Sequence, residues 1–130
     1  MTRPLPVLDA QPLQDLLDLG AAPDLVTELV ELLRLDVPAR QAALRKALED
    51  LDQESGVLEA HQLKGALGTM GLLRFSDLAG RIEAHLREGQ WREARGLLEA
   101  LPAAYQEALA ALRATFPWVT STAARPGPTG

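Results

Sequence analysis

The stretch Ala60-His61-Gln62-Leu63-Lys64-Gly65-Ala66-Leu67-Gly68-Thr69-Met70-Gly71 decides the fold. At about 100° per residue, Ala60, Leu63, Leu67 and Met70 fall within one broad arc, the face that an amphipathic helix buries. His61 then points roughly 150° from the centre of that arc, and Lys64, Gly65 and Gly68 lie on the same outer side. A lone histidine on a helix is more often a hydrogen-bonded core residue, but this one faces water. Glycine inside a helix costs about 1 kcal/mol relative to alanine, so Gly65 and Gly68 together cost about 2 kcal/mol. Glycine also lets helices pack closely, yet on this wheel both glycines point away from the core. The better account is an incoming partner whose atoms must approach the imidazole without side chains in the way.

Outward from this helix the apolar spacing stays helical, with no alternating run long enough for a strand, so the fold class is all-α. A first short helix is expected from Asp9 as N-cap, with Pro12 in its first turn and a stop at Gly20. A second, long element begins at Pro23-Asp24 and carries Leu25, Leu29, Leu33, Val37, Leu44, Leu48 and Leu51 as its apolar row. Pro38 interrupts it chemically, which predicts a kink before Pro38, although two consecutive helices give the same pattern. The third helix spans about 53–70, capped by Asp52 or Ser55, with Gly71 in the left-handed position that ends helices. The fourth covers roughly 73–88, with Phe75, Leu78, Ile82 and Leu86 as a stripe and Gly89 as its break. The fifth starts near Trp91 and runs through Ala94, Leu97, Leu98, Leu101, Tyr105, Leu109 and Leu112, kinked at Pro102. Short loops make neighbours antiparallel, giving an up-down four-helix bundle with a short additional N-terminal helix. Residues 1–117 are expected to form a single domain. Residues 118–130, small, polar and proline-rich, are expected to be a flexible tail whose start Trp118 pins to the bundle.

Composition narrows the chemistry. A chain of 130 residues, 47% hydrophobic, can bury one core. It has no cysteine and only two histidines, His61 and His85, which leaves no thiolate chemistry and makes a resident metal a poor expectation. A net charge of −5 argues against nucleic acid as partner. No apolar run approaches the roughly 20 residues of a membrane span, and no secretory signal opens the chain, so a cytoplasmic monomer is expected. Of the 13 basic residues, 11 are arginine, and one of the two lysines, Lys64, stands beside His61.

An exposed imidazole ordinarily titrates at about pH 6.5, so a neutral, nucleophilic ring is available near neutral pH, and a cation one turn away disfavours the protonated form. The same lysine would offset the charge of a phosphoryl group on the ring. On these features His61 reads as a phosphate carrier. His85, at the edge of the apolar stripe of the fourth helix, reads as a partly buried, hydrogen-bonded residue outside the site. Leu58, one turn before His61, points outward with it and is a candidate for an apolar docking patch.

The pattern resembles the histidine phosphotransfer (HPt) domains of bacterial phosphorelays. The matching positions are Ala60-His61, Leu63-Lys64-Gly65 and Gly71, then Leu78, Ile82 and Glu83 on the next helix, and the likeness covers roughly residues 8–114. It implies a four-helix bundle whose histidine takes a phosphoryl group from a receiver-domain aspartate, or from a kinase relay, and passes it to another receiver. The implied partners are response-regulator receiver domains and a sensor histidine kinase or hybrid kinase. The implied carrier has no kinase activity or ATP site of its own and no cofactor of its own, Mg²⁺ being supplied by the receiver. By position, His61 is the phosphoacceptor, Lys64 the charge partner, and Gly65 the small residue that admits the receiver. Gly68 and Leu58 share the docking face, and Glu83 and Arg87 stand where the family often has polar side chains near the site.

Gln62 and Ala66 depart from the pattern, standing where threonine and serine are frequent, so the group that orients the imidazole is not apparent. Pro38 and Pro102 are unusual within the long helices of such domains. Three other readings compete. A helical adaptor could dock receivers without carrying phosphate. The dimerisation helices of a sensor kinase usually follow their histidine with an acidic residue and then a proline, where this chain has Gln62 and no nearby proline. A hydrolase using His61 as general base would need a partner that the sequence does not place beside it, since Glu59 lies on a different side of the helix.

Overall fold

The computed structural model describes residues 5–20 and 23–118, and among them the protein is all-helical, with six helices and no strand. Helix α1 (Gln11–Asp18) begins where the Asp9 carboxylate accepts the Gln11 N–H at 3.0 Å and Pro12 occupies the first turn. Gly20 follows it at φ +95°. Helix α2 (Pro23–Glu49) is a single 27-residue helix that runs through Pro38.

The buried row of α2 is Val26, Val30, Leu33, Val37, Leu44 and Leu48. This corrects the expected row at its N-terminal half, since Leu25 is exposed and Leu29 only partly buried. Two adjacent rows of this helix are apolar, and periodicity alone does not choose between them. Leu51, expected in the row, lies beyond the helix in a left-handed turn at φ +56° with its side chain exposed. There the Asp52 N–H reaches the Ala47 carbonyl at 2.8 Å and the Leu51 N–H that of Leu48 at 3.3 Å, the paired bonds of a Schellman termination.

Helix α3 (Gln53–Thr69) is capped by Asp52, whose side chain accepts the Ser55 N–H at 3.1 Å. It ends in a second Schellman turn, with Leu72 N–H bonded to Leu67 O and Gly71 at φ +83°. A Cβ on Gly71 would collide with the Asp9 carbonyl, and the Asp9 N–H donates to the Gly71 carbonyl at 2.7 Å. The segment before α1 is thereby stitched to the α3–α4 turn. Helix α4 (Leu73–Arg87) closes the same way at Gly89, φ +70°.

The expected fifth helix is two: α5 (Trp91–Leu98) and α6 (Leu101–Thr115), with Pro102 in the first turn of α6. Proline lacks an N–H and clashes with the carbonyl four residues back, so it starts a helix at less cost than it interrupts one. The core gathers Leu13, Val26, Leu44, Leu63, Phe75 and Leu112 with their neighbours; α3 packs on α2 and α4, and α4 also on α5 and α6. Phe75 and Tyr105 meet edge to face, centroids 6.3 Å apart, tying α4 to α6. Trp118 sets its ring edge against buried Phe116 at 5.7 Å, and the rest of the expected tail lies outside the described residues.

Candidate functional site

Burial of Ala60, Leu63 and Leu67, each fully enclosed, turns the opposite side of α3 to solvent. There the His61 side chain is 59% exposed and that of Lys64 51%. Across from them on α4 stands Glu83, whose side chain is only 8% exposed. Its two carboxylate oxygens lie 3.2 and 3.3 Å from His61 Nδ1. The guanidinium of Arg87, one turn along α4, donates to the same carboxylate from Nη2 at 2.6 Å and from Nε at 3.0 Å. Lys64 Nζ stands 3.9 Å from its other oxygen.

Three basic side chains therefore converge on one buried acid. Burial alone would push the Glu83 carboxyl up, but the hydrogen bonds from Arg87 and His61, with the positive charge of Arg87 and that of the His61 ring when it is protonated, more than offset it and hold it below the ordinary glutamate range. A carboxylate only accepts, so the bond to Nδ1 requires the proton there. The neutral ring then keeps its lone pair on Nε2. This is the tautomer logic by which a carboxylate orients a nucleophilic or metal-binding histidine. The orienting group sought near Gln62 and Ala66 is thus Glu83, from the neighbouring helix.

The other expected site residues divide. Leu58 is exposed on the outer side of α3, and Gly65 faces open space, where an added methyl would meet nothing in the chain. Nothing within the fold calls for glycine at 65. Gly68 is corrected: a Cβ there would come to 2.9 Å from Ser76 Oγ, so its missing side chain serves the contact of α3 with α4. A wheel drawn for one helix does not contain the position of the next. His85 is half-buried, with Nδ1 2.6 Å from Gln90 Oε1, away from the site, and Glu59 pairs with Arg40 of α2 at 3.6 Å.

Two residues of the site escaped sequence reasoning. Ser76 donates its hydroxyl to the Lys64 carbonyl at 2.8 Å, and Gly80 lies under the Lys64 stem. Their signal was the spacing of Ser76, Gly80, Glu83 and Arg87, one polar row along α4 beside its apolar stripe.

Among the described residues no group of three or more His, Cys, Asp or Glu side chains could hold a metal ion, and no helix is long and apolar enough to cross a membrane. Neither the comparison with curated proteins nor that with solved structures gives a match. The sequence model of the Hpt domain matches residues 28–115, which takes in all of α3 to α6 and most of α2. With an outward histidine held from behind by a buried carboxylate, and a family match over more than half its length, the chain belongs to the Hpt domain family, the histidine phosphotransfer domains of two-component signalling.

Proposed function

We propose that His61 is the phosphoacceptor of a phosphorelay, taking a phosphoryl group from the aspartyl phosphate of a receiver domain, or from a kinase relay, and handing it to a second receiver. The observation that carries this reading is the bond between His61 Nδ1 and the buried Glu83 carboxylate. With Nδ1 protonated, the Nε2 lone pair attacks phosphorus; the Nε2–P bond forms as the P–O bond breaks, and the electron pair leaves on the donor aspartate. The ring becomes positive, and Glu83 stabilises it through Nδ1–H. Return to a second aspartate is the same step reversed. Lys64 offsets the phosphoryl charge, and Mg²⁺ with the remaining catalytic groups belongs to the receiver.

The architecture supports this reading. We take α2, α3, α4 and the α5–α6 pair as an antiparallel up-down four-helix bundle, with α1 as the additional N-terminal helix. Gly65 leaves room for a receiver loop beside the imidazole, and Leu58 adds apolar surface. An apolar groove of about 440 Å³, lined by Leu13, Leu29, Leu32, Leu33, Ala66 and Met70, opens farther along the same helix and offers a protein partner area to bury.

Incubation with a phosphorylated receiver domain should place an acid-labile, base-stable phosphoryl label on the protein. His61→Gln should abolish the label while far-UV circular dichroism stays unchanged. A label that survives the substitution overturns the proposal. Receiver binding without any label would instead favour a docking adaptor.

A further inference from the structure

Lysine carries a compact charge on a long, flexible stem, so an exposed lysine samples many rotamers unless its neighbours restrain it. Lys64, half exposed, lies with one side of its stem against α4. Its carbonyl accepts the Ser76 hydroxyl at 2.8 Å. Its stem crosses Gly80, where an added Cβ would stand 3.2 Å from Cδ, 3.7 Å from Cε and 3.8 Å from Cγ. Its ammonium ends 3.9 Å from the Glu83 oxygen on the carboxylate that also holds His61 Nδ1.

We infer that Gly80 is a positioning residue for phosphoryl transfer: it lets Lys64 lie flat on α4, so that the ammonium and the imidazole are set by the same buried carboxylate. Any side chain at 80 lifts the stem and frees the charge to wander. A displacement of a few tenths of an ångström is cheap for a flexible stem, so the fold tolerates it. The cost falls on the chemistry, where a charge near the phosphoryl group matters in proportion to how well it is placed. Glycine inside a helix is otherwise a liability, and alanine at 80 should raise helix stability. Opposite changes in stability and in transfer are the signature of a residue retained for position.

The inference rests on His61 carrying phosphate, and the test separates the two. Phosphoramidate serves as a donor without a receiver: Nε2 attacks phosphorus, the P–N bond breaks, and ammonia leaves with its electron pair. Gly80→Ala should slow labelling by about twofold and Gly80→Leu by about fourfold, both within the loss that removing the Lys64 charge itself causes, with melting temperature unchanged or raised for alanine. In a Lys64→Ala background neither substitution should slow it further. Equal rates in Gly80→Leu and wild type, or a loss that persists without Lys64, overturn the inference.

A second readout is independent of phosphate. Lys46 and Lys64 are the only lysines, so ¹³C-methylated side-chain amines give two resolvable lysine signals. Gly80→Leu should move the Lys64 signal toward that of Lys46; an unmoved signal refutes the restraint even if His61 takes no label. Absence of label on the wild-type protein, with the lysine signal moving as expected, refutes the phosphotransfer reading alone.

Discussion

The two histidines bond through the same nitrogen and differ in everything behind it. His85 Nδ1 lies 2.6 Å from the amide oxygen of Gln90, five residues on, in the turn that ends α4. His61 Nδ1 lies 3.2 Å from a carboxylate on another helix, buried and held by Arg87. A neutral amide fixes a ring's orientation and does little for a positive charge on it. A carboxylate does both, and here the guanidinium lets it stay charged while enclosed. On the proposed reading, His61 is served by an acceptor that is charged, anchored and supplied from outside its own helix.

The comparison can be broken at the acceptor. Glu83→Ala should slow phosphoryl transfer by about 10- to 100-fold, the usual loss when an orienting partner of a functional histidine is removed. Glu83→Gln, which keeps an acceptor and drops the charge, should fall between alanine and wild type in single-turnover labelling. If glutamine transfers as well as glutamate, orientation alone explains the site and the contrast with His85 disappears.

The charge also shows in stability. Because Glu83 is held low in the folded state, the stability it contributes is fully present above the ordinary glutamate value of about 4.3 and is lost as pH falls through its lowered value. The urea midpoint of the wild type relative to Glu83→Gln should accordingly decline as pH falls through that acid range. A difference independent of pH would mean that packing, and not the charge, sets Glu83's contribution.

Lys64→Ala sharpens the same contrast more gently. A half-exposed ammonium contributes about 1 kcal/mol of screened attraction to a phosphoryl group, so labelling should slow about fivefold with the melting temperature unchanged. The smallest effect belongs to His85→Gln. Transfer should be unaltered, and loss of the bond to Gln90 should cost at most about 1 kcal/mol in urea unfolding.

Much of the fold was legible because its signals are local. Asp52 caps α3 and Gly71 and Gly89 close helices at positive φ, as their residue types imply. The core face of α3 follows from Ala60, Leu63 and Leu67. Legibility stops where two rows of one helix are both apolar: Val26 and Val30 are inside while Leu25 and Leu32 are exposed, and only the packing of α2 on its neighbours selects between them. It stops again at Pro102, where continuous apolar spacing runs across a break between α5 and α6.

By itself the sequence determined that the chain is helical, where most helices end, and that His61, Lys64 and Gly65 face outward, because spacing, caps and left-handed glycines act within a few residues. The tertiary structure decided what stands behind His61. The contact between His61 and Glu83, 22 positions apart in sequence, the packing of Gly68 on Ser76 and the passage of Lys64 over Gly80 all depend on how closely α3 and α4 approach. No periodicity within one helix encodes a distance to another, so the group that orients the imidazole becomes visible only when the two helices are placed side by side.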